Sequence, residues 1–287
     1  MSVIPTKLTQ AAIESVFQVP DNDGAFKEAQ RAYLNEIAGK RPMVFLAFAP
    51  KAAGTFLRQA AIEAVDGDLV RIVHAQGGRD AQPYMPTLIA YQLGGICSGP
   101  AVTHVHMQAL PSNRRFLEMF KIRPAIMIRS IPDMLASYWD MIETDEAARR
   151  DGLNCEIPYD FPARSKEQKA DFLIDIMGPW YASYYATWLG YAKSDPDRVL
   201  VLRYKDFKAD PAATLEAILA HSKLPRSRGE CEEAIDIAWR ERDQLRFNKG
   251  EKGRGESYFS RDHIERLERM LSHYDEIGDS KDDVLLA

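Results

Sequence analysis

The chain has 287 residues, 46% of them hydrophobic, which is enough for one large α/β domain with a substantial core. Its 37 basic and 42 acidic side chains leave a formal charge of −5, which argues against a general nucleic-acid binder. Three scattered cysteines, Cys97, Cys155 and Cys231, have no metal-ligand spacing and make no disulfide framework, as in a reducing compartment. No stretch approaches the ~20 apolar residues of a membrane span. Residues 1–19 lack a basic segment followed by a long apolar run, so the chain reads as soluble and cytoplasmic.

In chain order, residues 1–40 form a polar lead-in with helical spacing at Phe26, Ala29, Tyr33 and Ile37, and no function is legible there. Residues 43–48 are an unbroken apolar run, as in a strand buried on both faces of a parallel sheet. A helix follows, with Phe56, Leu57, Ala60, Ala61 and Ala64 on one face. A second strand is expected over 69–73, a break at Gly77-Gly78, and a short helix over 84–93. A strand over 101–107, a helix over 113–121 and a strand over 125–128 come next. A helix then opens at Ile131, with Pro132 and Asp133 in its first turn. Residues 143–178 read largely as a polar loop, a lid over an acceptor site. An aromatic-rich helix over 172–191, interrupted early by Gly178-Pro179, leads to a last strand over 199–202. Helices over 211–221, 230–242 and 260–272 finish the chain, with a glycine-rich basic stretch at 246–255 between the last two. Strands alternating with helices imply one P-loop-like central parallel sheet flanked by helices on both faces, a single domain over 1–287.

The join between the first strand and helix carries the strongest chemical signal: Ala49-Pro50-Lys51-Ala52-Ala53-Gly54-Thr55. A helix N-terminus offers free N–H groups and partial positive charge, which suit an anion. Lys51 adds a cation and Thr55 a hydroxyl donor. Ala52, Ala53 and Gly54 let the backbone approach a ligand. The nucleoside-triphosphate signature is absent, because no glycine precedes Lys51 at the required place, and no magnesium site is evident.

Three separated segments together resemble the sulfotransferases that use 3′-phosphoadenosine 5′-phosphosulfate (PAPS), of the cytosolic and bacterial small-molecule type. The loop 49–57 resembles the family's 5′-phosphosulfate loop. Ile128-Arg129-Ser130-Ile131-Pro132-Asp133-Met134-Leu135-Ala136-Ser137 is similar to its 3′-phosphate segment. Phe247-Asn248-Lys249-Gly250-Glu251-Lys252-Gly253 is similar to its late R-K-G-x-x-G loop, and residues 199–210 to its strand-plus-Y-E-D-L segment. The resemblance implies PAPS as donor, no metal, and a sulfotransferase fold. It implies that Lys51 stabilises the leaving 5′-phosphate, with Ala52, Ala53, Gly54 and Thr55 around it. Arg129 and Ser137 would hold the 3′-phosphate, with Asn248, Lys249 and Gly250 closing over it. Phe56 and Tyr204 would lie at the adenine. Two departures stand out: Ala53 occupies the place of the family's loop glycine, with Gly54 one position later, and Asn248 replaces an arginine. The 3′-phosphate contact would then be weaker, or would fall to Arg246, Lys252 or Arg254.

The acceptor hydroxyl must lose a proton, and histidine suits that role near neutral pH. His104 and His106 lie two apart on the expected strand, so both share a face. Register with the resembled pattern favours His106 as the base, while the dipeptide Thr103-His104 points to His104. His74, His221 and His263 lack comparable placement. The stripe Trp180, Tyr181, Tyr184, Tyr185, Trp188 and Tyr191 reads as core. The expected partners are a small-molecule or lipid hydroxyl acceptor and a homodimer, without nucleic acid or membrane. Rival functions are a P-loop nucleotide-dependent kinase and a non-catalytic nucleotide-binding relative.

Overall fold

The computed structural model describes residues 32–73, 83–151, 155–241 and 253–286. Five strands make one sheet: β1 (Met43–Leu46), β2 (Asp68–Leu69), β3 (Ala101–His104), β4 (Pro124–Ile128) and β5 (Leu200–Arg203). Every pairing is parallel, in the order β2-β3-β1-β4-β5. Every residue of β1, β3 and β4 is buried. Successive strand residues point to opposite faces, so both faces are covered by helices. That is why β1 and most of β4 read as unbroken apolar runs. The chain leaves β1 toward β2 and β3 on one side, then crosses to β4 and β5 on the other. The order therefore switches at β1, and the crevice beyond the carboxyl ends there is where an open α/β sheet binds its ligand.

The helices expected from Ile131 and over 211–221 form as Ile131–Thr144 and Pro211–His221. Ser130 caps the first by accepting from Asp133 N at 3.4 Å, with Pro132 in the opening turn. Other expectations shift. The second strand keeps only Asp68–Leu69 in its ladder, though Val70 N still donates to Val102 O at 3.0 Å. β3 ends at His104, so His106 lies beyond the strand. The aromatic helix is Gly178–Ser194, preceded by a π-helical turn, Leu173–Met177. Pro179 has no N–H to continue a regular ladder, and the wide turn sits just before it. Residues 32–37 are helical, with Leu34 and Ile37 in the core, and the rest of the lead-in lies outside the described residues. In the 143–178 segment, Phe161, Ala170, Leu173, Ile174 and Met177 are buried in the same core.

The aromatic stripe is core, and it also ties down loops. Tyr184 donates its hydroxyl to Ala47 O at 2.6 Å, and Tyr181 donates to Pro50 O at 3.2 Å. The Tyr185 hydroxyl donates to Arg129 O at 2.7 Å and accepts from Arg129 N at 2.9 Å. Trp188 Nε1 donates to Met107 O at 2.8 Å. These backbone groups stand just past the ends of β1, β3 and β4. Burial pushes the Tyr184 hydroxyl well above the ordinary tyrosine range, so it stays protonated and remains a donor. Tyr184→Phe leaves the Ala47 carbonyl without that donor, and should lower unfolding free energy by about 1–3 kcal/mol. Urea unfolding checks this: the midpoint falls while the slope stays unchanged.

Candidate active site

Two non-glycine residues in the loop after β1 lie in the left-handed region, Lys51 at φ 66° and Ala53 at φ 63°. Each conformation costs about 1–2 kcal/mol for a residue with a Cβ. The turn at Ala53 starts the helix Gly54–Val65, whose N-cap makes no side-chain capping bond and whose first turn holds no acid. Its leading N–H groups thus face outward with the partial positive charge of the helix end. Gly54 serves a different purpose: a Cβ there would lie 2.2 Å from His104 Nε2. The single loop glycine of the resembled pattern is split here into a strained alanine that turns the chain and a glycine that admits an imidazole. Lys51 Nζ points to the helix Ile131–Thr144, 3.8 Å from Met141 Sδ.

Arg129 follows the last residue of β4 and is 7% exposed. Its Nη1 donates to Lys51 O at 2.6 Å, and its guanidinium lies 4.2 Å over the Tyr204 ring. Its Nε is buried and makes no hydrogen bond among the described residues. A buried, unsatisfied charged N–H is costly, and an anion at that place would satisfy it. A cavity of about 580 Å³ opens here, walled by Arg129, Ser130, Asp133, Tyr204, Lys205 and Asp283. Asp283 is paired with Lys205 at 2.9 Å and with Arg203 at 2.8 Å. Hydrogen bonding from Lys205 holds its carboxyl below the usual range. Ser137 is buried on the same helix as Asp133.

The late basic stretch reaches this cavity through Asp133. Its Oδ2 accepts from Gly253 N at 3.2 Å and its Oδ1 from Gly255 N at 2.9 Å. Gly255 packs so closely that a Cβ would lie 2.4 Å from Pro132 Cβ. Arg254 is held by Asp140 and by the Tyr258 hydroxyl at 3.2 Å, so its guanidinium is committed to those groups. Asn248, Lys249, Gly250, Arg246 and Lys252 lie outside the described residues, as does His74.

His104 and His106 are both buried, with ring centroids 5.0 Å apart at 65°. The structure therefore brings Lys51, Arg129, Tyr204 and both histidines to the carboxyl ends of β1, β3, β4 and β5. Phe56 is fully buried, 5.8 Å from the Phe207 ring and 4.6 Å from the Trp239 ring. Trp239 is only partly buried, and it is the ring of that cluster with surface to offer a planar base. Sequence reasoning missed Trp239, and it gave Asp133 only a helix-end role.

The sulfotransferase domain family matches residues 98–276, more than half of the chain. The chain belongs to that family. The match spans His104, His106, Arg129, Ser137 and Tyr204, and begins after the Lys51 loop. The loop therefore rests on its own geometry in this sulfotransferase-family protein. Among solved structures, a mouse sulfotransferase, SULT7A1, complexed with PAP is 15% identical, with a TM-score of 0.59 over 87% of this chain and 88% of that one. A retinol dehydratase in a complex with retinol and PAP is 11% identical, with a TM-score of 0.50 over 96% of each chain. Both share the fold. No curated protein sequence matches the chain. Among the described residues, no helix is long and apolar enough to cross a membrane.

Two loop variants test the division of labour between Ala53 and Gly54. Ala53→Gly relieves the left-handed strain and should raise stability by about 1 kcal/mol. Gly54→Ala should lower stability and displace the His104 ring, seen as shifted imidazole resonances. Urea midpoints of the two variants moving in the same direction would contradict this reading.

Proposed function

We propose that this protein transfers a sulfuryl group from PAPS to a hydroxyl acceptor. The observation that carries the reading is the Arg129 bridge: one buried guanidinium bonded to the Lys51 carbonyl, with Nε uncommitted beside the cavity. It joins the loop suited to a 5′-phosphosulfate to a site suited to a 3′-phosphate. In this reading Arg129, with Ser137 and the 248–250 segment, holds the 3′-phosphate through a planar fork. The N–H groups at Gly54 and Thr55, with Lys51, hold the 5′ end. Tyr204 and the Phe56–Trp239 cluster flank the adenine. Both solved structures cited above contain PAP, the desulfonated donor, which supports the same nucleotide here.

The acceptor oxygen attacks sulfur in line; its O–S bond forms as the bond from sulfur to the 5′-phosphate oxygen breaks. Charge develops on that phosphate, where Lys51 stabilises it. The acceptor proton passes to His106, with His104 as the alternative base beside it. The acceptor is a small-molecule or lipid alcohol, a class that retinol in one of the two structures supports. The 143–178 segment then covers the acceptor and keeps water from the donor. The reaction fits one domain over 1–287 in a cytoplasmic setting.

Adenosine 3′,5′-bisphosphate should raise the melting temperature, and Arg129→Ala should weaken its binding by about 10–100-fold. Stabilisation by ATP–magnesium but not by the bisphosphate would instead make the protein a kinase-like nucleotide enzyme. With labelled donor and a panel of alcohols, Lys51→Ala should lower turnover by about 10²–10³-fold. His106→Ala should abolish turnover while bisphosphate binding persists. Loss in His104→Ala alone would move the base to His104.

A further inference from the structure

We propose that Glu167, Asp171 and His263 form a divalent-metal site, away from the nucleotide cavity. The proposal does not depend on the sulfuryl-transfer reading. Glu167 and Asp171 are four apart on the helix Lys166–Phe172 and so share a face. His263 stands in the first turn of the helix Arg261–Leu271, which faces them. His263 Nε2 lies 3.4 Å from Asp171 Oδ1 and 3.7 Å from Glu167 Oε1, and the three donor atoms all fall within 4.8 Å of one another. Ligands at the ~2.1 Å typical of zinc–nitrogen and zinc–oxygen bonds, set tetrahedrally, are about 3.4 Å apart. The imidazole nitrogen is thus already near coordination spacing from both carboxylates, and the two carboxylate oxygens lie within 4.8 Å of each other.

A second observation points to a ligand. His263 is 1% exposed, and its Nε2 makes no hydrogen bond among the described residues although it faces two carboxylates. Its Nδ1 lies 2.6 Å from Ser260 Oγ and 3.1 Å from Ser260 N. In the metal-free protein Nδ1 accepts from Ser260 N–H, which puts the ring proton on Nε2. A metal at Nε2 displaces that proton; with a proton on Nδ1, the ring donates to Ser260 Oγ, the outer hydrogen bond that orients a ligating imidazole. Charge supports the same conclusion. Asp171, Asp175 and Asp262 all pair with one arginine, Arg266, at 2.5 Å for Asp171 and 3.7 Å for Asp262. With Glu167 added, a single guanidinium faces an excess of carboxylates that a dication would offset. Imidazole with carboxylates suits zinc or a neighbouring transition metal more than calcium or magnesium. Glu167 is mostly exposed, which gives the ion an entry path and leaves a coordination position for water. The ion would staple the 166–172 helix to the Arg261–Leu271 helix.

The test uses the full-length protein, stripped with chelator and titrated with Zn²⁺ and, separately, Co²⁺. One equivalent should bind, with visible cobalt d–d bands and a higher melting temperature. Glu167→Gln, a surface change that leaves the fold intact, should weaken Zn²⁺ at least tenfold and alter the cobalt spectrum. No stoichiometric uptake overturns the site. So does uptake that Glu167→Gln changes by less than tenfold, because the ion would then lie elsewhere, for instance on His104 and His106.

Discussion

Four side chains on one helix face hold the carboxyl end of the sheet together. Tyr181, Tyr184, Tyr185 and Trp188 follow the i, i+3, i+4, i+7 spacing of a single helical stripe. Each sends a polar tip to a backbone group just past β1, β3 or β4. Backbone groups at the carboxyl end of a parallel sheet leave the ladder, and buried ones need partners. Aromatic residues supply both the apolar bulk that closes the core and the donor at its far edge. The loops bearing Lys51, His106 and Arg129 are therefore fixed by one rigid element. Their mutual placement is a packing consequence of the Gly178–Ser194 helix.

Electrostatics around the cavity follow a consistent rule. The protein is acidic overall, yet two of the three carboxylates that line the cavity, Asp133 and Asp283, are engaged, as is Asp140 on the same helix as Asp133. Asp133 uses both oxygens on the N–H groups of Gly253 and Gly255. Asp140 holds Arg254 and Tyr258. Asp283 holds Lys205 and Arg203. Arg129 is different: its guanidinium meets a carbonyl oxygen and a tyrosine ring, and makes no ion pair with a carboxylate among the described residues. A buried guanidinium matched only by a carbonyl and a π-face keeps most of its charge for an incoming anion, consistent with a doubly phosphorylated ligand.

Elements set by local pattern were legible in the sequence. The strand–loop–helix at 43–65 carries strong periodicity, and the Ile131–Thr144 and Pro211–His221 helices add a Pro start signal. The sheet class followed from their alternation. Features set by distant contacts were not legible. β2 is short because it is an edge strand whose residues are exposed, so only two remain in its ladder. The Phe56–Trp239 ring pair joins residues far apart in sequence, and nothing near Trp239 marks it. Asp133 looked like an ordinary first-turn acid, while its partners lie 120 and 122 residues away. The hydroxyl targets of the tyrosine stripe are equally tertiary. The stripe's burial was readable; the carbonyls it would meet were not.

The two strained residues in the loop and the arginine at the end of β4 belong to one device. A left-handed Lys51 and a left-handed Ala53 are unfavourable alone, and such strain persists only where surroundings over-determine it. Arg129 supplies part of that determination, because its Nη1 holds the Lys51 carbonyl. Gly54 supplies another part, since only glycine lets the His104 ring press against the start of the helix. An anion gripped by the remaining N–H groups of Arg129 would fix the guanidinium further, and through it the backbone that aims Lys51. In the proposed reaction the phosphate that does not react thereby steadies the cation that does. Remote binding energy of this kind serves orientation at the reacting centre, and the Arg129–Lys51 hydrogen bond is the physical link through which it would act.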